Sequence, residues 1–428
     1  MKIIRLERLS QNERLKIIDR QNASSQKIKT AVTAIINQVK IEGDRALLRL
    51  GRHFYGLNYN SLRVDQKEVE QAYQRASKGY LIALEQMVKN IRINQTAQII
   101  RKRKIVRPET GITIRHEWRP IDRVGLYVPG GRATYPSSLL MTALPAIIAG
   151  CQKIVICTPP KSNGEVPDAT LVAARMIGVK EIYKCGGAEA IAALAFGTET
   201  IPKVDKIFGP GNAYVTEAKI QVSNFTSIDL PAGPSEVIII ADRTANPRFI
   251  AADLLADSEH GGDSVSILLT NNRLVALKTS AEIERQLNLL NPESNARTAI
   301  NNNGLIIEVK NISQAIDFIN DYAPEHLEIM TADPKKIVSK IRNAGSIFLG
   351  DYTAKAVGDY ASGANHVLPT SSFAKSFGPL SVNDFGRFIE IQECTRTGLT
   401  KIKKTIETVS AIEKLPAHGN SVKIRFLP

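Results

Sequence analysis

Six histidines are spread through the 428 residues, and four of them stand beside acids or glycines in patterns that could do chemistry. Asp257-Ser258-Glu259-His260-Gly261-Gly262 puts a carboxylate and an imidazole three apart at the end of a helix expected from Arg248 onward. Both would project from one helix face and could grip a single metal ion. Gly358-Asp359-Tyr360 and Ala417-His418-Gly419 could complete a set of nitrogen and oxygen donors. Such a set suits zinc or a similar divalent ion, with substrate taking an open position. Spacing alone cannot bring these segments together. In Tyr322-Ala323-Pro324-Glu325-His326-Leu327-Glu328, Pro324 reads as the first helical residue, so Glu325 falls in the first turn of a helix. An acid there is either ordinary complementation of the helix dipole or half of a carboxylate–imidazole pair that moves protons near neutral pH. His53 and His116 have no such company and read as structural or surface residues. Aldehyde oxidation can also run through a cysteine, but Cys151 and Cys157 flank an apolar run and read as packed thiols.

Groups this far apart need a framework to gather them. Residues 1–118 read as mostly helical, with long amphipathic stretches at Ala31–Arg52 and Lys67–Asn94. After Pro120 short β-rich runs alternate with helical patterns: Val124–Val128, Lys153–Thr158, Glu181–Lys184, Lys206–Phe208, Glu236–Ala241, Ser264–Thr270, Leu305–Val309 and Ser346–Leu349. That alternation predicts parallel βαβ units in a doubly wound α/β architecture. Pro231-Ala232-Gly233-Pro234 looks like a seam between two sheets, and past residue 370 the pattern loosens into a tail. No internal sequence repeat is visible. The dinucleotide fingerprint G-x-G-x-x-G is absent. Three other Gly-rich turns follow strands instead: Tyr127-Val128-Pro129-Gly130-Gly131, Cys185-Gly186-Gly187-Ala188-Glu189 and Phe208-Gly209-Pro210-Gly211-Asn212. In succession along one sheet, they favour a nucleotide crevice over three ordinary turns.

Composition removes other classes. Charged residues make up only 23% of the chain and hydrophobic ones 43%, which excludes a disordered or fibrous protein. Four cysteines without a C-x-x-C pair form neither a disulfide scaffold nor a zinc ribbon. No apolar leader opens the chain, and Leu139–Cys151 is too short to span a membrane and is interrupted by Pro145. A cytoplasmic protein is expected, with no membrane partner. The net charge of +14 lies wholly in residues 1–120, where 25 Lys and Arg face 11 Asp and Glu. The local maximum at Arg101-Lys102-Arg103-Lys104 comes without zinc-finger spacing or an aromatic cluster, so no nucleic-acid partner is expected.

Taken together and in this order, these segments resemble the histidinol dehydrogenase family. The series runs through Val124–Gly131, Phe208–Asn212, Asp229–Glu236, Glu259–Gly261, Ala323–Leu327, Gly358–His366 and Glu413–His418, covering the chain from about residue 20 to its end. The resemblance implies an intertwined, zinc-containing, NAD-dependent homodimer. Such an enzyme oxidises L-histidinol to L-histidine through L-histidinal, with two hydride transfers and two NAD. It implies two Rossmann-like doubly wound sheets with a helical N-terminal region and an extended C-terminal tail. The expected units are an arm at 1–22, a larger α/β unit formed by 23–126 with 236–380, an NAD-binding unit at 127–235, and a tail at 381–428 that reaches the partner subunit.

By the same resemblance Glu325 and His326 are the catalytic pair. His326 would take the alcohol proton, and Glu325 would activate the water that hydrates the aldehyde. The zinc positions fall on Asp257, His260, Asp359 and His418, which with His326 would also meet substrate. Ser235, His366 and Glu413 fall on further substrate contacts, and Tyr127, Glu189 and Asn212 on NAD contacts. Glu413 and His418 would act across the dimer. Two positions depart from the family pattern, since Asp257 and Glu189 each stand where glutamine is usual. Asp257 should keep the metal with altered charge. A carboxylate at Glu189 should alter NAD affinity while activity survives. Two rival readings are a dehydrogenase of another amino-alcohol or a sulfonated diol, and a basic nucleic-acid binder in an enzyme-like shell. His366 and Glu413 count against the first, the Glu325-His326 pair against the second.

Overall fold

A computed structural model describes residues 1–20, 25–56, 61–100, 104–130, 134–230, 233–291 and 294–428. The basic residues Arg101–Arg103, Gly131 of the first Gly-rich turn, and Pro231-Ala232 of the expected seam lie outside the described residues. Two parallel sheets carry the chain. One has five strands in the spatial order Glu181–Lys184, Lys153–Thr158, Arg123–Tyr127, Lys206–Phe208, Ser227–Ile228. The other has six, in the order Lys2–Arg5, Gly304–Glu308, Val265–Thr270, Glu236–Ala241, His326–Met330, Ser346–Leu349. Numbered within its own unit, each sheet runs 3-2-1-4-5, the doubly wound order, and the second gains the N-terminal strand at its edge. The expected α/β class is borne out, and the two units repeat in topology without any repeat in sequence.

Strand composition explains the layering. In Glu236–Ala241 every residue is buried. Val237 and Ile239 pack toward the helices Pro247–Ser258 and Arg273–Leu287, while Ile238 and Ile240 pack toward Ile312–Tyr322. Side chains that alternate between two covered faces leave no polar positions, so parallel strands read as continuous apolar runs. The helices of residues 26–97 cover the two faces of the five-stranded sheet: Val32, Ile35 and Val39 pack on one side, Val69, Leu84 and Ile91 on the other. That packing departs from the expected grouping of 23–126 with 236–380. The amphipathic stripes of these helices fit the sheet whose own helices are Ala-rich and thin.

Several elements differ from expectation. The stretch Ala31–Arg52 is two helices, Gln26–Glu42 and Asp44–Tyr55, because Gly43 (φ +54°) turns the chain where a Cβ would strike the Glu199 carboxylate. Lys67–Asn94 is likewise split, and Ser77 caps the second helix by accepting from the Tyr80 N–H at 3.2 Å. The C-terminal region is ordered: Gly386–Cys394 pairs antiparallel with Ile112–Pro120, which pairs with Lys104–Glu109, and the helices Arg396–Ile412 and Pro416–Lys423 follow. These strands are half exposed and charged, so they lack the apolar run that betrays a buried strand.

Pro145 does not interrupt its apolar segment. It sits inside the buried helix Pro136–Ala149, and the Met141 carbonyl, whose partner the proline ring removes, accepts instead from Asn365 Nδ2 at 2.7 Å. No described helix is long and apolar enough to cross a membrane.

One buried ion pair sets the Gly-rich loop after Lys206–Phe208. Lys219, 2% exposed, pairs with Asp229 and donates to the carbonyls of Gly209 (3.0 Å) and Leu230 (2.9 Å), while Asp229 Oδ2 accepts from the Gly209 N–H at 2.8 Å. Replacing Lys219 by Met strands a buried carboxylate, and we expect a loss of about 3–5 kcal/mol in urea unfolding. A loss below about 1 kcal/mol, the range of exposed pairs, would contradict this account.

Candidate active site

A cavity of about 440 Å³ opens between the two sheets, within the range of small-molecule sites. From the five-stranded sheet it receives the carboxyl ends of the two central strands, through Tyr127, Gly130, Pro210, Gly211 and Asn212. That is the switch point where doubly wound sheets bind ligands. The six-stranded sheet contributes the opposite edge. Ser235, Ser264, Glu325 and His326 stand at the amino ends of its strands.

Glu325 and His326 are therefore not in the first turn of a helix, as Pro324 suggested. His326–Met330 is a buried strand beside Glu236–Ala241. The preceding helix ends at Tyr322 with Ala323 in a left-handed turn (φ +53°), and Pro324 then feeds the strand. Gly345 packs where a Cβ would lie 2.6 Å from the Glu325 carbonyl, and the N–H groups of Gly345 and Ser346 bond to the carbonyls of Pro324 and Glu325. Glu325 Oε2 accepts from the Glu236 N–H at 2.9 Å.

His326 Nδ1 lies 3.2 Å from the Glu236 carbonyl. A carbonyl can only accept, so Nδ1 carries a proton and Nε2, 4.0 Å from Asp359 Oδ1, is the position that gains and loses one. Burial alone would lower the basicity of this imidazole. The Glu325 carboxylate, 3.5 Å from Nδ1, and Asp257 together outweigh burial and leave the pKa above its ordinary value. Behind the pair, Arg20 clamps Glu236 with two bonds of 2.6 and 2.7 Å, donates to the Tyr322 carbonyl, and lies over the Tyr322 ring.

The expected metal set is only partly gathered, and another cation stands within it. The Lys355 ammonium lies 2.8 Å from Asp257 Oδ1, 2.9 Å from His260 Nε2 and 3.2 Å from Asp359 Oδ2. It is 1% exposed. Its three N–H donors match the three acceptors, so His260 is neutral at Nε2; burial, then Lys355, pull its pKa down. Burial disfavours the Lys355 charge, but Asp257 and Asp359 hold its pKa well above the usual lysine range. Asp257 Oδ2 has no hydrogen-bond partner. The fourth expected ligand, His418, is exposed on the helix Pro416–Lys423. Among the described residues no group of three or more His, Cys, Asp or Glu side chains is arranged to hold a metal. A divalent ion about 3 Å from the ammonium would meet repulsion on the order of 10 kcal/mol at an effective dielectric constant near 20. These residues do not fit zinc.

His366 lines the cavity, with Nδ1 donating to the Asp359 carbonyl (3.1 Å) and Nε2 facing the Ser138 hydroxyl (3.1 Å). Burial drops its pKa to about 4, so the ring is neutral. A dinucleotide has a place to sit. Gly130 and Gly211 press the wall where Cβ atoms would strike Pro159 and Val215, and the helix Ala213–Val222 starts at the cavity with Asn212 as its cap. The Asn212 side chain takes the N–H groups of Tyr214 and Val215, and the positive end of the helix dipole at this terminus favours an anion such as a diphosphate.

Glu189 is not on the cavity wall. It lies buried at the start of Gly187–Phe196, hydrogen-bonded to Tyr55 and near the Tyr127 ring, whose oxygen accepts from the Gly187 N–H at 3.3 Å. Glu413, at the end of Arg396–Ile412, is exposed like His418 and also away from the cavity. Sequence reasoning missed Lys355, Arg20, Glu236 and Ser138. For Lys355 one signal existed, its position four residues before Asp359 on a helical turn.

The two doubly wound sheets, the crevice at a switch point and the paired carboxylate and imidazole define an α/β oxidoreductase. The histidinol dehydrogenase profile matches residues 18–426. The histidinol dehydrogenase of Yersinia pestis is 46% identical over 407 residues, covering 94% of this chain and 90% of that protein. The Photobacterium profundum protein of that name is 44% identical over 432 residues, covering 100% and 96%. A crystal structure of histidinol dehydrogenase from Elizabethkingia anophelis superposes with a TM-score of 0.93 at 39% identity, over 99% of this chain and 98% of that one. The chain belongs to the histidinol dehydrogenase family.

Burial lifts the Glu189 pKa to about 7. Because this carboxyl is raised above its unfolded value of about 4.5, stability falls as pH rises between the two values and is lower by about 3 kcal/mol at pH 8. Glu189→Gln removes the charge. We expect it to unfold later than the parent at pH 8 and with it at about pH 4.5, in parallel urea titrations. Equal gains at both pH values would show that the carboxyl does not ionise in the fold.

Proposed function

We propose that this enzyme oxidises L-histidinol to L-histidine by way of L-histidinal, the closing reactions of histidine biosynthesis, and passes two hydrides to two molecules of NAD. The observation that carries this is the commitment of His326 Nδ1 to the Glu236 carbonyl. It leaves Nε2 as a base on the wall of a cavity that also meets a dinucleotide crevice.

In the first oxidation His326 Nε2 takes the hydroxyl proton while a C–H bond of the same carbon gives up its hydride. Glu325, beside it on the cavity wall, takes a proton from the water that adds to the aldehyde while His326 returns its proton to the aldehyde oxygen, so the second substrate is a hydrate and His326 is a free base again. His326 then takes a proton from that hydrate as the second hydride leaves, and a carboxylate remains. NAD, when bound, accepts the hydride in each round. Tyr127, Asn212 and the glycines Gly130 and Gly211 would hold it, which makes residues 127–235 the cofactor unit. Ser235, His260, Asp359 and His366 offer hydroxyl, imidazole and carboxylate groups for the ring and amine of the substrate. No step is assigned to a metal.

Glu413 and His418 would complete the site of a second copy in a homodimer. The exposed Val409, Ile412, Leu415, Ile424 and Leu427 around them support an interface there. The cytoplasm supplies both NAD and a pathway of this kind.

Two NADH should form per L-histidinol consumed, read at 340 nm against product histidine; one NADH per substrate would reduce the enzyme to an alcohol dehydrogenase. His326→Gln should lower kcat by about 10²–10⁴-fold while the KM for NAD changes little. An unaltered kcat would remove His326 from the chemistry.

A further inference from the structure

The group of side chains expected to hold a metal already holds a cation. We propose that the Lys355 ammonium is the permanent cation of this site, standing where the family resemblance calls for zinc, so that the enzyme works with no bound metal.

Three features carry the inference. First, the contacts are close: the ammonium lies 2.8 Å from Asp257 and 3.2 Å from Asp359 as ion pairs and 2.9 Å from the His260 ring as a hydrogen bond. A zinc ion would need the same atoms at roughly 2.0–2.2 Å, in the space the nitrogen fills. Second, the ammonium is interposed. Lys355 lines the cavity and Asp257 does not, so an ion arriving from the cavity meets Lys355 before it meets Asp257. Third, leaving is costly. Lys355 is 1% exposed, and its backbone N–H is held by the Asp253 carboxylate, which keeps the stem pointing inward. Moving it aside would bury an ammonium without its acids, the unfavourable state for any interior charge.

The arrangement also accounts for Asp257. A carboxylate at this buried position, rather than an amide, balances the lysine charge. It works as the partner of Lys355 rather than as a metal ligand. Substrate recognition then falls to hydrogen bonds. Asp359, the longest of the three Lys355 contacts and itself on the cavity wall, is the acceptor best able to turn toward a substrate ammonium or imidazole N–H.

The proposal rests on the activity proposed above, but its test does not. The purified full-length enzyme is stripped with EDTA, dialysed, given zinc chloride, desalted and measured for zinc by mass spectrometry, with calorimetric titration of zinc alongside. The parent should retain no stoichiometric zinc. Lys355→Met, of similar length and uncharged, should take up one zinc per chain, with affinity about a hundredfold above the parent, the scale of one neighbouring charge. One zinc per parent chain would overturn the proposal. Should Lys355→Met fail to fold by circular dichroism, the parent's zinc content decides alone. NADH formation by the parent should be unchanged in EDTA, and a strict need for added zinc would overturn the proposal while leaving the activity intact. A parent that binds no zinc and forms no NADH in any buffer would sink the proposed activity and leave the lysine assignment standing.

Discussion

One buried cation and one half-buried one make the active site possible. Asp257, Asp359, Glu236 and Glu325 crowd around the amino ends of three strands, all buried, and a cluster of that kind is unstable by itself because each carboxylate loses its hydration and repels the next. Arg20 answers Glu236 with a planar fork, and Lys355 answers the two aspartates with a point charge. The chemistry depends on that neutralisation. His326 keeps its proton at Nδ1 because the Glu236 carbonyl is held in place, with the Glu236 N–H bonded to the Glu325 carboxylate and its side chain clamped by Arg20. Further back, burial and repulsion from Asp253 push Glu328 toward its neutral form, which keeps one more acid from adding charge, while its hydrogen bond to Asp253 favours the charged form there.

The two sheets share a strand order and present opposite ends to the cavity. The carboxyl edge of the five-stranded sheet provides helix N-termini and close-packed glycines, suited to an anion. The amino edge of the six-stranded sheet provides acids, imidazoles and a backbone register that fixes their places. A cofactor and a small polar substrate thus meet from two frameworks that are built alike. The chemistry on each side differs because opposite ends of a parallel strand expose different groups.

Much of this was legible in residues alone, and the reasons for failure are specific. Buried parallel strands such as Lys153–Thr158 and Glu236–Ala241 are bare apolar runs between breakers, so their limits could be read directly. His326–Met330 hid because its sequence, His-Leu-Glu-Ile-Met, mixes buried polar residues into a central strand, and Pro324 mimics a helix start. The strand Ile112–Pro120 hid because half-exposed pairing needs no hydrophobic run. The six residues Tyr127, Ser235, His260, Asp359, His366 and Asn212 do converge on one cavity with Glu325 and His326. Arg20 could not be found that way, and Lys355 only through its spacing from Asp359. A lone basic residue looks like surface until the fold surrounds it with acids.

The proline inside Pro136–Ala149 has a mechanical consequence. By leaving the Met141 carbonyl to Asn365, and with Ser138 facing His366, it stitches a helix of one sheet to the loop that descends from the other. A clamshell motion that widened the cleft would have to break both stitches, the Asn365 one in the buried interior. Opening the cleft therefore costs those two bonds, a resistance that makes the enzyme more like a slot than a jaw.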